Sequence, residues 1–120
     1  MAFSITAVLG SIVNKKRSKP AHAPVPVKVI DEEMEIRCCN GWGKIREEVW
    51  QDAEGKVVRY NLAFIHHLIC ARDNGRVLGY DTAHGHHRHF MGAVEKFDFV
   101  NYEDLSTRFF DEVAEICKEG

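Results

Sequence analysis

Residues 80–90 read YDTAHGHHRHF, and four of the chain's seven histidines, His84, His86, His87 and His89, fall within them. Imidazole is the side chain whose ordinary pKa lets it give or take a proton near neutrality. Tyr80, Asp81 and Arg88 stand among these histidines. A zinc site would draw on three of the imidazoles together with the Asp81 carboxylate, all suitable ligands. The crowded spacing and the absence of an H-E-x-x-H template speak against it, so no metal and no cofactor is expected. A metal-free site would cut RNA beside a 2′-hydroxyl, which needs a base for that hydroxyl, an acid for the leaving oxygen and positive charge at the phosphorane. In that reading His87 and His89 are the acid/base pair and Arg88 clamps the phosphate with its planar fork. Tyr80 and Asp81 complete the catalytic set, and Arg59, Tyr60, His84 and His86 bind substrate. A third reading is a solvated, hydrogen-bonded loop without chemistry. An extended backbone turns His87 and His89 to one side and Arg88 to the other, so all three act together only where the chain bends.

Rigid elements must hold such a loop. In EMEIRCC, Met34, Ile36 and Cys38 alternate with charged residues, as in a half-buried strand; Asn40-Gly41 marks a turn, and KIREEVWQ is the next strand. DAEGK leads tightly into VVRYNLAFIHHLIC. Read as one long strand, that run places Tyr60, Leu62, Phe64, His66 and Leu68 on one face and Arg59, Asn61, Ala63, Ile65 and His67 on the other. The neighbours His66 and His67 then face opposite ways. Asn74-Gly75 signals a hairpin into RVLGYD, and VEKFDFV alternates again. At the end, Asn101 caps a helix with Asp104 three residues on. Its apolar stripe is Leu105, Phe109, Val113 and Ile116, supported by Tyr102, Phe110 and Cys117, and its outer face is acidic: Glu103, Asp104, Asp111, Glu112 and Glu115. The expected fold is α+β, an antiparallel β-meander of about five or six strands with a C-terminal helix packed on the sheet.

Length and charge bound the rest. A chain of 120 residues suggests one domain. Residues 1–30 carry Lys15, Lys16, Arg17, Lys19 and Lys28 and no acid, so that segment is +5; with the whole chain at −2, the remainder is −7. Pro20, Pro24 and Pro26 favour an extended linker. These features divide the chain into a basic, proline-containing arm, 1–26, and a single α+β domain, 27–120. The apolar run near the N-terminus is too short to span a bilayer, and its basic cluster follows it, the wrong order for a secretory signal. No membrane contact is expected. The four cysteines include no C-x-x-C pair and read as reduced thiols of a cytoplasmic protein.

The stretch RYNLAFIHHLICARDNGRVLGYDTAHGHHRHFMG, followed by FDFVNYEDLSTRFFDEV, resembles the TumE-type toxins of prokaryotic toxin–antitoxin modules. The resemblance covers roughly residues 45–116. It rests on Tyr60 and Leu62, on Tyr80-Asp81 leading into a Gly/His-rich loop that ends at His87-x-His89, on Phe97 and Phe99, and on Glu103 to Leu105. Thr82 stands where many members carry Asn. The resemblance implies a growth-inhibiting toxin encoded beside a helix-turn-helix antitoxin. It leaves the reaction open: a small endoribonuclease acting on RNA, or a non-enzymatic nucleic-acid- or protein-binding subunit of a regulatory complex. A homodimer is compatible with either.

Overall fold

The structure, a computed structural model, describes residues 25–119, so most of the expected arm lies outside the described residues. Six strands follow in order: β1 (Val27–Cys38), β2 (Gly41–Gln51), β3 (Val57–Ile65), β4 (Arg76–Asp81), β5 (His87–Phe90) and β6 (Ala93–Lys96). They form one antiparallel sheet in which each strand pairs with its sequence neighbours. One helix, α1 (Tyr102–Glu119), follows and packs against β1, β3 and β4. The α+β meander with its C-terminal helix is thus the observed fold.

Alternation makes the strands, and turn chemistry ends them. Gly41 (φ +120°) lets β1 reverse into β2 at Asn40-Gly41. The Asp52 side chain accepts the backbone N–H groups of Glu54 and Lys56, both at 2.9 Å, and closes the turn into β3. The Asn101 side chain accepts the Asp104 N–H at 2.8 Å and caps α1. Leu105, Phe109, Val113 and Cys117 of the helix stripe are buried against Ile45, Val49, Tyr60, Leu62, Phe64, Leu78 and Tyr80 of the sheet.

Several expectations are corrected. The long run through Cys70 is not one strand: β3 stops at Ile65, and the N–H groups of Ile69 and Cys70 both turn back to the His66 carbonyl. Asp73, Asn74 and Gly75 then all take positive φ in a short 3₁₀ turn, so the Asn-Gly pair serves a longer connection than a two-residue hairpin. His66 and His67 therefore lie in a turn, His66 buried beside Phe64 and His67 exposed with its ring over Gly75. VEKFDFV is likewise a strand only to Lys96; Phe97 and Phe99 leave the sheet to pack on Tyr80 and Tyr60. Finally, Cys38 and Cys117 are not reduced thiols. They form a disulfide with Cα atoms 4.5 Å apart, because the end of β1 and the last turn of α1 both bury their cysteine on the same side of the sheet. Cys39 and Cys70 are free.

Candidate functional site on the open sheet face

The helix covers one face of the sheet and leaves the other open. Directly paired residues of neighbouring strands share a face. The register accordingly sets Asp31, Glu48, Asn61, Asp81, His87 and Lys96 in one row across the open face, one residue from each strand. His87 is paired with Asp81 of β4 on one side and with Lys96 of β6 on the other, the neighbouring strands lying about 4.8 Å away.

The adjoining row is Glu33, Arg46, Ala63, Gly79, His89 and Val94. Its small residues leave a trough that Arg76 fills. A Cβ on Gly79 would lie 2.7 Å from the Arg76 Cδ, so the missing side chain is what lets the arginine cross. Arg76 then donates from Nε to Asp73 (2.7 Å), from Nη1 to Asp81 (3.4 Å) and from Nη2 to His89 Nδ1 (3.0 Å). Since guanidinium has no acceptor, His89 Nδ1 must accept, which leaves the neutral ring's proton on Nε2. That Nε2 is buried, 2.9 Å from Asp81 Oδ2 but off the direction a hydrogen bond needs. Both ring nitrogens of His89 thus face protein. His89 and Arg76 brace Asp81, and the half-buried His87 is the imidazole of these two rows without a hydrogen bond to protein.

Arg88 and Tyr80 lie on the helix side. Arg88 donates to Glu112 (2.8 Å), to Glu95 (3.1 Å) and to the Tyr80 hydroxyl (3.0 Å), while Tyr80 donates to Glu112. Burial, and next the bond to Glu112, push the Tyr80 hydroxyl up to about 12. These groups join β4, β5 and α1, and each of the three guanidinium nitrogens of Arg88 is bonded to protein. Tyr60 is also on this side, its hydroxyl 2.7 Å from His86 Nδ1, and the His86 ring stacks on Phe99 at 4.5 Å. Burial raises the Tyr60 hydroxyl above its ordinary range. His84 is exposed in the loop between β4 and β5.

Of the nine residues expected from the sequence, the structure therefore gathers Asp81, His87, His89 and Arg59 on the open face. It places Tyr80, Arg88, Tyr60 and His86 on the other. Sequence reasoning missed Lys96, Arg76, Asn61 and Glu48. Met91-Gly92 (φ +52° and +90°) was the available signal for Lys96, because a tight turn there pairs Phe90 with Ala93 and hence His87 with Lys96. Arg76 reaches the face through a register shift at the start of β4, which leaves no such mark.

Beside the row lies a groove lined by Glu48, Trp50, Arg59, Asn61, Asp81 and Ala83. The Arg59 guanidinium sits 4.4 Å over the Trp50 ring, and the Lys28 ammonium lies 5.0 Å from the same ring. Glu48 accepts Asn61 Nδ2 at 2.9 Å and pairs with Lys28 at 2.7 Å; in that order these partners hold its carboxyl below the usual range. Among the described residues no group of three or more His, Cys, Asp or Glu converges as a ligand set, and none of the helices is long and apolar enough to cross a membrane. Comparison with models of known families, with characterised proteins and with solved structures returned no match.

Proposed function

We propose that this chain is the growth-inhibiting toxin of a toxin–antitoxin module and acts on RNA as a small metal-independent endoribonuclease. The observation that carries the reading is the row on the uncovered face, in which a half-buried His87 without a hydrogen bond to protein stands between a braced carboxylate and Lys96. His87 takes the proton of the 2′-hydroxyl as the 2′-oxygen bonds to phosphorus. Lys96 neutralises the phosphorane and supplies the proton that the 5′-oxygen takes as the P–O5′ bond breaks, leaving a 2′,3′-cyclic phosphate. Asp81, held by Arg76 and His89, keeps the imidazole oriented. The exposed acidic side of α1, with Glu103, Asp104, Asp111 and Glu115, suits a basic partner, here the helix-turn-helix antitoxin. A cytoplasmic location follows from the RNA substrate alone, since the Cys38–Cys117 bond is of the kind that oxidising compartments keep.

The alternative, a non-enzymatic subunit of a regulatory complex, is favoured by the loss of Arg88 and His89 from the reacting set. One experiment separates them. Purified protein is given a short single-stranded RNA and the same strand with a 2′-deoxy substitution at the cut site. Cleavage that needs the 2′-hydroxyl and falls about a hundredfold in His87→Ala supports the nuclease. Absence of cleavage, together with growth arrest that still depends on His87, supports the binding subunit.

A further inference from the structure

The proposed chemistry leaves the groove beside His87 unused. Its wall is Arg59, an exposed residue whose guanidinium is backed by the Trp50 indole. A guanidinium plane held this way is a stacking platform for a nucleobase, and single-stranded bases are commonly read on such planes. The groove floor offers acceptors. The Asn61 amide nitrogen donates to Glu48 Oε1, so its carbonyl is the group Asn61 offers. Beside it are two carboxylates that keep further lone pairs although they already hold partners, Glu48 with Lys28 and Arg46 and Asp81 with Arg76. Among the bases, guanine alone has a pairing edge with two adjacent donors, N1–H and the N2 amino group. Adenine and cytosine set a ring acceptor beside their amine, and uracil flanks its single N–H with two carbonyls, so each would turn an acceptor toward the floor.

We infer that this groove is a guanine subsite for single-stranded RNA, with Arg59 as the stacking platform and Glu48, Asn61 and Asp81 as the acceptors that read the base. The inference rests on the RNA reading above and sharpens it. Asp81 belongs both to the groove and to the row, directly opposite His87. A guanine held there stands one strand from His87, so cleavage is expected next to guanosine.

The test measures binding to the His87→Ala protein by fluorescence anisotropy, using labelled single-stranded RNAs that differ at one base: guanine, inosine, adenine or uracil. Guanine should bind roughly tenfold or more tightly than inosine, which lacks only the N2 amine, since a hydrogen bond to a charged acceptor is worth on that scale. Arg59→Lys keeps the charge but loses the plane, and Arg59→Ala loses both; each should weaken guanine binding about tenfold or more. Arg37→Ala is the control, because Arg37 covers Trp42 at 5.6 Å on the same face away from the groove, and it should leave base preference unchanged. Equal affinity for guanine and inosine, or wild-type guanine binding by Arg59→Lys, overturns the subsite. Mapping the cuts made by the wild-type protein separates the two proposals. Cleavage without base preference sinks the subsite and keeps the nuclease, whereas guanine-selective binding without cleavage does the reverse.

Discussion

On the face that α1 covers, Tyr60, Leu62, Phe64, Leu78 and Tyr80 are each at most 2% exposed, and their polar tips are tied to partners. On the open face the same two strands carry Arg59, Asn61, Ala63, Gly79 and Asp81. The covered face gains its stability from apolar burial, and the Tyr60 and Tyr80 hydroxyls there are closed into bonds because an unpaired polar group in a dry interior costs about 1–3 kcal/mol, a cost that the buried His66 ring still carries. The open face keeps its charges wet, in networks of modest worth, and can leave one imidazole without a protein partner. Adjacent residues of β5 fall on different sides of this division. Arg88 is a strut between sheet and helix, while the half-buried His87 lies on the open face. Neighbourhood in sequence is therefore a poor guide to shared function on a strand.

The largest expected contrast is a truncation on the covered face. Phe109→Ala should cost about 3–5 kcal/mol in denaturant unfolding, the scale for emptying an aromatic site in a core. His87→Ala on the open face should cost no more than about 0.5 kcal/mol while lowering cleavage about a hundredfold. Equal losses at the two sites would mean that the open face is packed against something in solution.

Next is the strut. Glu112→Ala leaves the Tyr80 hydroxyl and the Arg88 guanidinium without their shared carboxylate. A loss of about 1–3 kcal/mol is expected by the same unfolding measurement. If activity falls with stability barely changed, Arg88 belongs to the reacting set after all.

A smaller effect is expected at Gly79→Ala. The new Cβ meets the Arg76 side chain, which can swing away, and lies 3.3 Å from the Leu62 carbonyl, which must give slightly, so the fold should lose about 1 kcal/mol while Arg76 shifts off Asp81 and His89. The informative readout is the cleavage rate, which should fall because His87 loses a fixed carboxylate beside it. An unchanged rate would remove the brace from the mechanism.

The smallest effect concerns acid. Glu48 titrates below its ordinary range in the folded protein, first through Asn61 and then Lys28. A depressed carboxylate contributes stability above its unfolded pKa and loses it as pH falls through the folded, lower value. Wild-type protein should therefore lose more of its melting temperature between neutral pH and about pH 3 than Glu48→Gln does. Identical acid dependence would show that this cluster is fully screened by solvent.

From the sequence alone, alternation in EMEIRCC, KIREEVWQ and RVLGYD, together with the Leu105–Phe109–Val113 stripe behind its Asn101 cap, determined six-stranded α+β architecture to within a strand. It also determined that His87 and His89 share a face that Arg88 does not, because period two is a property of each extended segment by itself. Only the tertiary structure decided where β3 ends, that Cys38 meets Cys117, that Arg76 locks His89 and Asp81, and that Lys96 stands opposite His87. Each of these depends on turn length, register or the approach of distant segments. A turn of positive-φ residues or a shift of one position in pairing changes every cross-strand neighbour while leaving the local pattern of each strand as it was.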